Sequence, residues 1–137
     1  MNKLFLSIKI LSLFGILLAV YLLFEMWINT SLSVCNINST VNCNAIINGP
    51  VSKVFGVPTA LIGLIGYVII LFSSILKMKK TILTAVIFGL IFCMWIAYQE
   101  LFLLHVICPV CILCQFTMLT IFIISLIIIN KDIKNKN

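Results

Sequence analysis

Four long apolar runs separated by short polar segments make up most of the chain. The first is densest over Ile10–Ile28 and predicts a helix over about 4–28; the other three predict helices over about 57–76, 81–105 and 109–130. A hydrocarbon core of roughly 30 Å takes about 20 helical residues to cross. No water is present at that depth to satisfy open backbone groups, so runs of this kind must be helical. Glu25 stands near the far end of the first run and Glu100 interrupts the third, while the second and fourth carry no charge. The first run has the basic start of a signal peptide. It is longer than a signal core, however, and lacks a small-x-small cleavage site before the polar loop, so it is read as a retained span.

Composition strengthens this picture. The 137 residues are 64% hydrophobic and 9% charged, where soluble domains are nearer a quarter charged, and the mean hydropathy is +1.31. Such a chain cannot cover its surface with polar atoms in water, so lipid is its solvent. The length allows a single domain, 1–137. The net charge of +6 would in a soluble protein raise nucleic-acid binding, but here the lysines sit in clusters between the runs and read as topology. Lys3 and Lys9 precede the first run, Lys77, Lys79 and Lys80 join the second to the third, and Lys131, Lys134 and Lys136 follow the fourth. Four spans place all three clusters on one side, the cytoplasmic one by the positive-inside rule, and leave only Lys53 outside. The expected fold is an all-α membrane protein: a four-transmembrane-helix bundle with both termini inside and an outer loop, 29–56, capping it. No nucleic-acid partner is expected. Within the loop, the semi-apolar stretch Asn44–Val54 predicts a short surface helix, and the polar tail Lys131–Asn137 is expected to fray.

Cysteine placement adds chemistry. Cys35 and Cys43 fall in the outer loop, and Cys108 and Cys111 at the outer end of the fourth helix. Four of six cysteines thus share the face where disulfides persist. In Cys108-Pro109-Val110-Cys111, Pro109 suits the first helical position, which puts Cys108 near the N-cap and Cys111 one turn in. The positive end of a helix favours thiolate there, and thiolate is the attacking species in disulfide exchange. Two other readings stay open: structural disulfides in a non-catalytic membrane protein, and a four-cysteine zinc site. Against zinc, Cys35 and Cys43 are eight apart, a poor knuckle spacing; no metal is expected. Cys93 and Cys114 are read as packing residues. Glu100, an ionisable residue at membrane depth, is either a proton relay or a neutral, paired group. His105 is read as solvated. Gly63 and Gly66 are expected to let helices approach closely.

The order of these motifs resembles the vitamin K epoxide reductase family, in its bacterial form. The resemblance rests on Phe55-Gly56-Val57-Pro58-Thr59-Ala60-Leu61-Ile62-Gly63 after the loop, on Glu100 through Cys111 at the last corner, and on the four-cysteine layout. It covers nearly the whole chain. The resemblance implies a quinone-dependent thiol oxidoreductase in a bacterial cytoplasmic membrane, its site facing outward, that supports disulfide formation in exported proteins. Cys111 would be the quinone-facing sulfur, Cys108 its disulfide partner, and Cys43 the shuttle that reduces their disulfide. Cys35 would take electrons from a thioredoxin-like (DsbA-like) thiol oxidase, expected as a separate protein because only seven residues follow the fourth predicted helix. The cofactor would be menaquinone or ubiquinone, with Cys111, Gln115 and Phe102 as candidate contacts. Two positions depart from the family pattern: Gly49 stands where a serine is usual, and Val51 where an aromatic is usual; Asn48 and Ser52 are the nearby polar substitutes. The DsbB family shares the chemistry but places its Cys-x-x-Cys after the first helix, not at the start of the fourth.

Overall fold

The computed structural model describes residues 2–28, 38–40 and 53–137. Helix α1 covers Asn2–Ile28, a short antiparallel hairpin pairs β1 (Lys53–Val54) with β2 (Val57–Pro58), and α2 covers Thr59–Ile75. Helix α3 covers Lys79–Tyr98 and continues as a π-helical turn, Gln99–Leu104, before α4, Pro109–Lys136. Three of these segments, Asn2–Ile28, Lys79–Leu104 and Pro109–Lys136, are long and apolar enough to cross a membrane.

Several boundaries differ from expectation for local reasons. Helix α2 begins at Thr59 rather than Val57 because Val57 and Pro58 form the second strand, and Pro58 occupies the N-cap. The hairpin turns through Phe55 and Gly56, both at positive φ, a backbone region that glycine enters without steric cost. Lys53 and Val54, expected at the end of a surface helix, are strand; the rest of that stretch lies outside the described residues. At 17 residues α2 sits at the short limit for a span. It stops where Lys77 turns left-handed and the Met78 N–H donates to Ser73 O, 2.9 Å, the long-range bond of a Schellman cap. The tail expected to fray is helical through Lys136, and Asp132 within it pairs with Lys79 at the start of α3.

Helices α1 to α4 form a ring in chain order, α4 closing against α1. Phe5 and Ile8 of α1, Tyr67 and Ile70 of α2, Ile82 and Val86 of α3, and Met118, Ile121 and Ile128 of α4 make the core. The outward faces are apolar too, with Leu17, Phe88, Ile91 and Met94 all exposed. That pattern suits a solvent as apolar as the core. Polar ties are few and internal. Ser74 Oγ donates to Phe5 O and joins α2 to α1; Tyr67 Oη donates to Cys114 O at 2.9 Å and joins α2 to α4, as expected where polar groups must find partners inside the bundle. A Cβ at Gly15 would overlap the Tyr67 ring, and one at Gly89 would meet the Met118 side chain. These are the close-approach glycines of the bundle.

Candidate active site

The α4 N-terminus forms as its sequence dictates. Pro109 takes the first helical position and Cys108 the N-cap, with extended backbone. The cap is made by sulfur: the Cys111 N–H donates to Cys108 Sγ at 3.4 Å. The Cys111 thiol lies beside the same sulfur and beside the Glu100 carboxyl, near enough to interact with both. Cys108 is fully buried, against Leu22 and Met26 of α1 and against Val110 and Cys111. Its thiol is held below the ordinary range, first by the Cys111 thiol and then by the Cys111 and Val110 amides; burial and the Glu100 carboxylate oppose the shift. Of the two sulfurs, Cys108 is therefore the one stabilised as thiolate.

The corner before α4 positions the pair. The π-helical turn ends at His105, whose backbone is left-handed, with φ of 50°. The carbonyl of Glu100 accepts from the His105 and Val106 amides. A π turn carries one residue more than an α turn and is frequent at functional sites. Here it brings the Glu100 side chain, 4% exposed, against Cys111. Glu100 Oε1 and the neighbouring Gln99 Oε1 are buried without a hydrogen-bond partner. Beyond the turn, the Ile107 N–H donates to Thr40 O, 2.8 Å, so the outer loop is fastened to the chain one residue before Cys108.

Below the sulfurs lies a cavity of about 590 Å³, lined by Cys108, Cys111, Cys114 and Gln115 at one end and reaching Thr81 and Thr84 at the other. Its lining on α3 runs from Thr81 to Ile96, about 22 Å at helical rise. Gly63 and Gly66 face it, with nothing within 4 Å of a Cβ built on either. Contrary to the sequence expectation they hold space open rather than draw helices together. Cys93 and Cys114 also line it as free thiols. Volumes of roughly 300–1,000 Å³, mostly apolar with a few polar groups at one end, are typical of small-molecule sites. A flat quinone ring on an isoprenoid tail fits that description: the apolar length suits the tail, and Gln115 and the Cys111 sulfur supply the polar end.

Of the residues singled out from sequence, Cys108, Cys111 and Gln115 come together at the cavity head. Phe102 does not: it is 64% exposed and stacks on Tyr98 at 4.8 Å between ring centroids, off the cavity lining. Cys35, Cys43, Asn48, Gly49, Val51 and Ser52 lie outside the described residues. His105 is exposed, its Nδ1 3.0 Å from Leu101 O. Among the described residues no cluster of His, Cys, Asp or Glu is arranged to hold a metal. Leu22 and Met26, which wall Cys108, carried no distinguishing signal in an apolar helix.

A helical membrane bundle whose internal cavity opens onto a helix-capping Cys-x-x-Cys is built as a membrane thiol redox protein. The chain belongs to the Vitamin K epoxide reductase family, whose profile matches residues 6–126. Proteins of that family are quinone-linked thiol oxidoreductases. No curated protein matches the chain.

Proposed function

We propose that the protein is a quinone-dependent, disulfide-generating oxidoreductase of a bacterial cytoplasmic membrane, a single domain with four spans, both termini inside and the cysteine face outside. The observation that carries this reading is the placement of Cys108 and Cys111 together at the head of an apolar cavity long enough for a lipid-soluble acceptor. Electrons would pass from the dithiol of a thioredoxin-like partner to a Cys35–Cys43 disulfide. Cys43 thiolate would then attack the Cys108–Cys111 disulfide and reduce it. Each exchange forms one S–S bond as it breaks another, and the thiolate is the nucleophile each time. A quinone held at the cavity head by Cys111 and Gln115 would supply the two-electron, two-proton acceptor.

The chain's own groups divide the remaining work. The Cys111 thiol and the α4 amides hold Cys108 as thiolate, ready to close the disulfide. Cys111 faces the cavity and is the sulfur from which electrons leave. Gln115, one turn further along, donates an amide hydrogen bond to an acceptor carbonyl. Because Gly49 and Val51 stand where the family usually has a serine and an aromatic, Gln115 would carry more of the ring's orientation.

The test uses the purified protein in lipid nanodiscs with a reduced thioredoxin-like oxidase and a quinone, and follows quinone absorbance. Wild type should reduce quinone, and Cys111→Ser should not. Loss of folding alone in Cys111→Ser would point to structural disulfides, and loss of bound zinc to a metal site.

A further inference from the structure

Glu100 is buried at membrane depth, aimed by a π-helical turn at the Cys111 thiol, with its second oxygen unpartnered. Burying a carboxyl with an unmet acceptor is costly, and packing does not require it, since the adjoining positions Leu101 and Phe102 are apolar and exposed. From this geometry we propose that Glu100 is a further catalytic residue, the base that takes the proton of Cys111 when the Cys108–Cys111 disulfide closes. The inference rests on the oxidoreductase reading and names a residue of that same site.

The step balances as follows. Cys108 begins as thiolate and Cys111 as thiol. The Cys111 S–H bond breaks and an S–S bond forms. The electron pair goes to the oxidant, a quinone in the family's reaction. The thiol proton goes to a Glu100 carboxylate oxygen and from there to water at the outer rim, near exposed His105. The two protons that complete the quinol come from water. A base is needed here because, among the described residues, Cys111 otherwise has only the Cys108 sulfur as acceptor, and that sulfur is the one about to be consumed. The Glu100 oxygen that faces Cys111 receives the proton along that contact, and Oε1, without a partner, leaves no other bond to be broken. Among the described residues, the other titratable groups around Glu100 are Cys93 from α3, Cys114 from α4 and, on the far side of Cys108, the hydrogen-bonded Tyr21–Glu25 pair of α1. None of these is hydrogen-bonded to Cys111.

Closure is measurable without quinone. In a Cys35→Ser/Cys43→Ser background, the reduced protein in nanodiscs is mixed with dithiodipyridine, a small lipid-soluble disulfide, and pyridinethione release is followed over a range of pH. The release that Cys111→Ser abolishes reports closure. Glu100→Gln keeps the volume and one acceptor oxygen but takes no proton; closure should slow about a hundredfold, a usual contribution of general-base catalysis, and lose its carboxyl pH limb. Closure at the parent rate with the parent pH profile overturns the proposal. Should Glu100→Gln fail to fold, Glu100→Asp decides: withdrawn by one methylene, its carboxyl should slow closure yet keep the limb, and a profile with no carboxyl limb overturns the proposal. Quinone turnover in the four-cysteine protein separates the two readings. If wild type reduces no quinone but Glu100→Gln still slows closure, the oxidoreductase assignment falls and Glu100 keeps its role. If wild type reduces quinone and Glu100→Gln closes normally, only the role of Glu100 falls.

Discussion

Replacing Gly15 or Gly66 by alanine adds the same methyl group to two opposite environments. At Gly15 the new carbon would overlap the Tyr67 ring, which is almost fully buried between α1 and α2 and tied by its hydroxyl to Cys114 O. Overpacking of that kind costs about 1–3 kcal/mol, and pulling Tyr67 off its acceptor about 0.5–1.5 kcal/mol more. Removing a helical glycine returns about 0.8–1 kcal/mol. At Gly66 only that last contribution applies, because the methyl enters open cavity space. The two variants should therefore differ by roughly 2–4 kcal/mol, a gap in thermal midpoint on the order of 10 °C for a chain of this size. Gly15→Ala should be the lower, and Gly66→Ala at or slightly above wild type. The assay is thermal unfolding in nanodiscs followed by the accessibility of Cys93 and Cys114 to a thiol-reactive dye. If Gly66→Ala also raises KM for quinone while Gly15→Ala does not, the methyl has narrowed the acceptor site without loosening the bundle. Equal midpoints for the two variants, or a Gly66→Ala protein as unstable as Gly15→Ala, would refute the distinction between packed and open glycines.

Three other outcomes follow from the site. Cys108 owes its lowered thiol first to Cys111, so its alkylation in wild type should persist below the usual thiol pKa of about 8.5 and fade only as pH falls through the lowered value; in Cys111→Ala that fade should move to higher pH, and an unmoved profile counts against the assignment. Gln115→Leu should raise KM for quinone several-fold with little change in the dithiodipyridine closure rate, since Gln115 lines the cavity but does not touch the sulfurs' hydrogen bonds; an unchanged KM would remove it from the acceptor site. Asp132→Asn breaks a solvent-facing pair with Lys79, and such pairs contribute little, so the unfolding midpoint should stay within experimental scatter, and a large drop would show that the pair clamps α3 to α4.

Legibility in the sequence followed the physics of each feature. Apolar run length marked the helices because the lipid leaves the backbone no alternative. Cys108-Pro109-Val110-Cys111 marked its own geometry, since proline at the first helical position fixes what lies before and after it. What stayed hidden depended on partners distant in sequence. Gly63 and Gly66 looked like contact glycines because a small residue in an apolar helix has the same pattern whether a neighbour or a void lies opposite. Phe102, a candidate quinone contact by resemblance, stacks on Tyr98 at the exposed face instead, while Glu100 in the same π turn is buried. An extra residue in a turn leaves no compositional trace, so the sequence did not say which face Glu100 occupied.

The bond from Ile107 N–H to Thr40 O works as a leash. Cys43 lies three positions after Thr40 and Cys35 five before it; fully stretched, three residue steps cover at most about 11 Å. In the proposed relay, a Cys43 sulfur on so short a tether would meet Cys108 at a local concentration of about millimolar, however dilute the protein is in the bilayer. On the proposed outward face, soluble thiols at far lower concentration would lose the competition for a Cys108–Cys111 disulfide. One backbone hydrogen bond would thus give the proposed relay insulation as well as proximity, and trimming or lengthening the stretch from Thr40 to Cys43 would trade one against the other.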